Sequence, residues 1–137
     1  MAILQHPTDV GRELVARVAR VRFVNGTLGV VRDAVAASID SLEAPGWVAA
    51  VTAEVPPSYA SLVQQLAVGP IPSRQDRMAD YCAQVASDLI DRDLLRTKVD
   101  LVGALQRLDA SAEPDRYRRL QEELVGIETE RRRLREE

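Results

Sequence analysis

The sequence predicts an all-α protein: a small helical bundle followed by a long helix and a C-terminal antiparallel helical hairpin. Three observations carry that expectation. Apolar residues recur at steps of three and four along nearly the whole chain, and no segment shows sustained strand alternation bounded by hairpin turns. Hydrophobic residues make up 46% of the 137 positions but aromatics only 4%, so the interior must be built from Val, Leu, Ile and Ala, which suits packed helices. Finally, Tyr117, Leu120, Leu124, Ile127, Arg131 and Leu134 form one stripe on a C-terminal helix whose other faces are charged. Such a helix must lay its stripe against the preceding helix, a second protein, or both.

A first short helix is expected to end at His6-Pro7, because the residue before a proline is pushed out of the helical region. It starts without a capping residue before Met1-Ala2-Ile3-Leu4, as expected of a piece of a longer protein. Thr8 or Asp9 can cap the next helix, which would turn Val10, Leu14, Val15 and Val18 inward. Asn25-Gly26 reads as a turn, and Asn25 or Thr27 then opens a helix burying Leu28, Val31, Val35 and Ile39. Pro45-Gly46 breaks that helix, and Trp47, Val48 and Val51 begin another that Pro56-Pro57 closes. Ser58 is the expected cap of a fifth, with Tyr59, Leu62, Val63 and Leu66 inward.

Gly69-Pro70-Ile71-Pro72-Ser73 is the clearest break, since two prolines and a glycine cannot continue a helix. From about Gln75 to Leu108 the pattern is uninterrupted, far beyond the mean helix length of about twelve residues. Its first half should present Met78, Tyr81, Val85 and Leu89 to one side. Its second half carries Leu94, Leu101, Leu105 and Leu108 on one stripe, with Leu95, Val99 and Val102 beside it. A polar turn at Asp109 to Glu113 follows, and Pro114 sits where proline is favoured, in a first helical turn. Two subdomains are expected, a bundle over 1–90 and a hairpin over 91–137. In the hairpin, 94–108 and 117–134 would pair over roughly 20–25 Å at 1.5 Å per residue.

Little in the residue inventory points to catalysis. His6 is the only histidine and Cys82 the only cysteine, so there is no internal disulfide and zinc would lack its usual ligand set. His6, ahead of Pro7, reads as a cap or surface residue, and Cys82 as a small buried hydrophobe. Asp88 and Asp91 share a helix face near Asp93, but Arg92 follows Asp88 at the spacing of a surface ion pair. The N-G-T-L-G run of residues 25–29 lacks a phosphate-loop lysine and a preceding strand, and reads as a turn. No catalytic residue, cofactor or metal is expected.

The formal charge of −3 does not demand a nucleic-acid partner. Arg131, Arg132, Arg133 and Arg135 cluster in the last turns, where positive charge suits the helix dipole, and Glu128, Glu130, Glu136 and Glu137 dilute them. Tyr117 alone makes no stacking platform. Neither a secretory signal nor a run of about twenty apolar residues is present, so a cytoplasmic setting is the default expectation.

The order of these signals is that of a known family. A-I-L-Q-H-P at 2–7, R-F-V-N-G-T-L-G-V-V-R-D-A-V at 22–35, S-Y-A-S-L-V-Q-Q-L-A-V at 58–68 and R-Y-R-R-L-Q-E-E-L-V-G-I-E-T-E-R-R-R-L-R-E-E at 116–137 resemble the C-terminal domain of bacterial DNA primase (DnaG type). The match covers essentially the whole chain and rests on order and spacing of apolar and turn residues. It departs after Phe23, where the family more often carries a proline and an aromatic and this chain has Gly26 and Leu28.

The resemblance implies a non-catalytic bacterial domain, monomeric alone, that docks primase on the replicative DNA helicase (DnaB type) through the helicase N-terminal domain. It would couple primer synthesis to unwinding in DNA replication, within the primosome. The polymerase core and zinc ribbon of such a primase lie upstream of this domain. Single-stranded DNA-binding protein is a second candidate partner, and neither direct nucleic-acid binding nor a membrane is implied.

Carried onto this chain, the helicase-facing surface is the hairpin. Tyr117, Leu120, Leu124, Ile127 and Leu134 divide between holding the arms together and meeting the partner. Arg118, Arg119, Glu123, Arg131 and Arg135 flank them, for steering and register. The alternatives are the helicase's own N-terminal domain or another helical adaptor, which should self-associate, and a nucleic-acid-binding module, whose affinity should fall steeply with salt.

Overall fold

The computed structural model describes residues 1–136. Eight α-helices lie among them: α1 Ala2–Gln5, α2 Pro7–Val10, α3 Arg12–Val18, α4 Gly26–Ala37, α5 Trp47–Glu54, α6 Ala60–Val68, α7 Met78–Arg107 and α8 Pro114–Glu136. Single 3-10 turns at Ile39–Ser41, Pro57–Tyr59 and Gln75–Arg77 link them, and there is no strand among the described residues. The protein is all-α, as its periodicity predicts. The chain divides into two compact units, Met1–Leu89 and Ile90–Glu137, and the 30-residue α7 is helical without a break through Asp88–Asp93.

In the first unit α5 packs on α4 and α6, and α1 on α2 and α6. The buried set is almost wholly aliphatic, with Val15, Val51 and Val63 having no exposed surface. Trp47, the only tryptophan, is buried, and its indole N–H donates to the Ile3 carbonyl at 3.0 Å. A second long-range tie runs from Gln5, whose side-chain amide donates to the carbonyls of Leu66 at 2.9 Å and Gly69 at 2.6 Å. Together they satisfy backbone acceptors that the short helices leave open at their ends.

Several local expectations need correction. The helix expected to run on from Thr8 or Asp9 is two helices, because Gly11 takes φ +88°, a left-handed conformation that ends α2 before Arg12 opens α3. Thr8 and Asp9 lie inside α2 and cap nothing; Val10, Val15 and Val18 are nonetheless buried. Asn25 does cap α4, its side-chain oxygen accepting from the Leu28 N–H at 3.1 Å. Ile39 falls past the end of α4 in a 3-10 turn, and Leu28 is exposed. Ser58 lies in the turn Pro57–Tyr59 and makes no capping bond.

The first half of α7 is rotated from the expected stripe. Val85 is exposed, whereas Cys82 and Ala86, four residues apart, are buried. Small side chains let a helix backbone approach its neighbours closely, so burial follows the small residues and leaves the larger ones at the flanks. Cys82 is a buried hydrophobe, and burial, ahead of the nearby Asp9 charge, raises its thiol pKa above the ordinary value.

Candidate functional site

The second unit, Ile90–Glu137, is built from the C-terminal part of α7, a short turn and α8. The turn is held by its own polar atoms. Asp109 Oδ1 accepts from the Ser111 N–H at 2.9 Å and from the Ser111 hydroxyl at 2.6 Å, while its carbonyl accepts from the N–H groups of Ala112 and Glu113. The Ser111 hydroxyl bond, followed by its N–H, holds the Asp109 carboxyl below the ordinary carboxylate range. Pro114 opens α8, and the Glu113 carbonyl accepts from the Tyr117 N–H at 3.0 Å, so the turn passes directly into helix.

Two ion pairs fix the register of the arms. Lys98 Nζ lies 2.6 Å from Glu128 Oε1, and Arg131 Nε lies 2.9 Å from Asp91 Oδ1, with Arg131 Nη1 also 3.8 Å from Glu128. A step back along α7 from 98 to 91 meets a step forward along α8 from 128 to 131, as antiparallel arms require. The Lys98 ammonium, in contact with Glu128, depresses its carboxyl pKa, and the hydrogen bond to Asp91 raises that of Arg131. The seam also holds apolar residues: Leu101 is buried on α7, and Leu94, Leu105 and Leu108 are half-buried.

The structure separates the residues expected to meet a partner. Tyr117, Leu120, Leu124 and Ile127 are half-buried along one stripe of α8, and Leu134 is buried. Arg118, Arg119, Glu123 and Arg135 are exposed, and Arg118 pairs with Asp115 at 3.2 Å. Arg131 differs from these. Its side chain is only 11% exposed and its guanidinium is engaged by Asp91 and Glu128, so its charge is spent inside the hairpin. Sequence reasoning missed Val125, which is 66% exposed; it also set Leu95 and Val99 merely beside the α7 stripe, where they are 42% and 64% exposed. The available signal was apolar residues on a second side of each arm.

The first unit contains an apolar cavity of about 340 Å³, walled by residues that include Val10, Val18, Val31, Val35, Cys82 and Leu89, with Arg32 its one lining residue that has a charged side chain. Arg32 donates to the Val21 carbonyl at 2.6 Å and to Asp33 at 2.7 and 3.0 Å, and sits 5.7 Å from the Phe23 ring centre. Among the described residues no three His, Cys, Asp or Glu side chains gather to hold a metal ion, and no helix is long and apolar enough to cross a membrane. His6 Nδ1 lies 3.4 Å from Asp9, and Asp88 accepts from Gln84 at 2.9 Å; both are local contacts.

An all-helical fold whose most elaborated feature is an ion-paired hairpin with exposed apolar residues offers a binding surface. Comparison with solved structures finds the same architecture in the helicase binding domain of primase from Mycobacterium tuberculosis, with a TM-score of 0.76 and 25% identity, over 98% of this chain and 86% of that one. No protein-family model and no curated protein sequence matches. The chain thus has the fold of the helicase-binding domain of bacterial primase, as its sequence resemblance implies.

Proposed function

We propose that this chain is the non-catalytic C-terminal domain of a bacterial primase, and that it docks the parent polymerase on a DnaB-type replicative helicase. The observation that carries this reading is the hairpin unit in a chain that matches a domain named for helicase binding over 98% of its length. Its arms are registered by Lys98–Glu128 and Asp91–Arg131, so the exposed residues between and around them are held in place before any partner arrives. The contact surface is assigned to α8 and the facing part of α7, with Arg118 and Arg135 at its rim. Tyr117, Leu120, Leu124 and Ile127 form the half-buried ridge that supports it. Through this contact the primase would be held at the site of unwinding, so that primers are made where the helicase exposes template.

The experiment is a titration of the chain against the replicative helicase from the same source and against its isolated N-terminal domain. The expected result is saturable binding to both, by a chain that sediments as a monomer alone. Primer synthesis is expected to be absent when this chain is given template, nucleotides and a divalent metal. No binding to either form would overturn the reading. Self-assembly into dimers or trimers would favour a helicase N-terminal domain instead, and retention on single-stranded DNA falling steeply with salt would favour a nucleic-acid-binding module.

A further inference from the structure

Both arms of the hairpin carry exposed apolar residues away from the seam. Lys98 and Glu128 meet at 2.6 Å, so the side of each arm that bears them is the same side of the hairpin. Residues three or four positions away on a helix share its face. Leu95 and Val102 stand three before and four after Lys98, Val99 lies between them at four from Leu95 and three from Val102, and Val125 stands three before Glu128. Leu95, Val99 and Val125 are 42%, 64% and 66% exposed, and Val102 is half-buried. Two ion pairs lie among these residues, Lys98 with Glu128, and Asp91, four before Leu95, with Arg131, while Arg92, three before Leu95, and Glu122, three before Val125, border them as exposed charges. The centre of an interface is more apolar than its rim, which is polar and solvent-accessible. Beyond the patch, Arg132 and Arg135 follow Glu128 at four and seven residues, on the same side and at the end away from the turn.

We propose that this side of the hairpin, centred on Val99 and Val125 and crossed by the Lys98–Glu128 pair, is the face that meets the partner. Its occupant is a helical surface of the helicase with an apolar centre and carboxylates set toward the Arg132–Arg135 end. The assignment rests on the docking function proposed above and specifies which side of the hairpin performs it. A second copy of the chain is the weaker occupant on area. The patch comprises three exposed aliphatic side chains and the half-buried Val102, against the roughly 20–30 residues that each partner contributes to a stable interface. Two such patches facing each other would not hold a dimer, whereas a larger partner can extend the contact past the patch.

The test uses the full chain and the helicase N-terminal domain, with affinity read by calorimetry. Val99→Glu and Val125→Glu should each weaken binding at least tenfold. Arg116→Glu should change it less than twofold, because Arg116 precedes Val125 by nine residues, two and a half turns, and so lies on the opposite side of α8. If either glutamate variant loses helicity, the double variant Val99→Ala/Val125→Ala replaces it, with a loss of at least threefold expected. Helicase binding by the wild type that is unmoved by these substitutions, or lost in Arg116→Glu instead, would overturn the choice of face and leave the docking function standing. Failure of the wild type to bind would remove the docking function, and this assignment with it. A wild-type dimer that Val99→Glu dissociates would show the occupant to be a second copy, and would overturn the assignment too.

Discussion

Arg131 reaches across the hairpin to Asp91, Nε to Oδ1 at 2.9 Å, over a separation of forty residues in sequence. It stands within a cluster of four arginines near the C-terminus, yet it is the one whose side chain is nearly covered. A residue that reads as partner-facing charge therefore acts inside the unit, fixing how far α8 slides along α7. The same contact sets which side chains of the two arms lie level, and so where the exposed valines fall.

That contact can be measured. Asp91→Ala and Arg131→Ala should each destabilise the hairpin, and a double-mutant cycle should return a coupling of about 1 kcal/mol, modest because Asp91 is a third exposed and solvent screens the pair. Thermal melts followed by circular dichroism would provide the cycle. A coupling near zero would mean that the apolar seam alone sets the register.

Acid should loosen the other pair. The folded-state pKa of Glu128 is depressed, first by its contact with the Lys98 ammonium, so the carboxylate's contribution is fully present above the unfolded value of about 4.3 and is lost as pH falls through the lower folded value. The midpoint of the Glu128 carboxyl resonance in a pH titration should lie below that of a model glutamate. In Lys98→Met it should move back toward the ordinary value. An unchanged midpoint in Lys98→Met would show that the ammonium is not the cause.

Gly11 holds φ +88° with nothing within 4 Å of the position a Cβ would take. Gly11→Ala therefore meets no clash, and its effect isolates the backbone term: a loss of about 1–2 kcal/mol, read as a lower midpoint in urea. A neutral result would mean that α2 and α3 rejoin as one helix once the glycine is gone.

Trp47 ties the start of the chain to α5 through its indole N–H and the Ile3 carbonyl. Trp47→Phe keeps most of the apolar volume but leaves that carbonyl without its donor, and should cost about 1–3 kcal/mol in denaturant unfolding. If the loss were far below that range, water would have to satisfy the Ile3 carbonyl in its place.

Much of the fold is legible because it is written in local chemistry. Pro7, the Pro56-Pro57 pair and the Gly69–Ser73 stretch each coincide with an end of helix, since a proline or an unconstrained glycine acts on its own few residues, whereas α4 ends at Ala37, well before the Pro45-Gly46 expected to break it. Asn25 as a cap and Pro114 as a first helical residue are similarly local. The misreadings arise where burial depends on neighbours distant in sequence. Val85 and Cys82 differ by less than a turn on α7, and periodicity favours the larger residue although the close approach of other helices buries the smaller.

By itself the sequence determined that this protein is helical, where several of its helices stop, that its last sixty residues form one long arm and a second after a polar turn, and that it resembles a primase docking domain. Each of these follows from spacing, breakers and order along the chain, which act within a turn or two. Only the tertiary structure decided that Arg131 turns inward to Asp91 while Val99 and Val125 stay bare, because the rotation of one helix against another is set by packing across the seam, to which a periodic pattern of apolar residues is nearly indifferent.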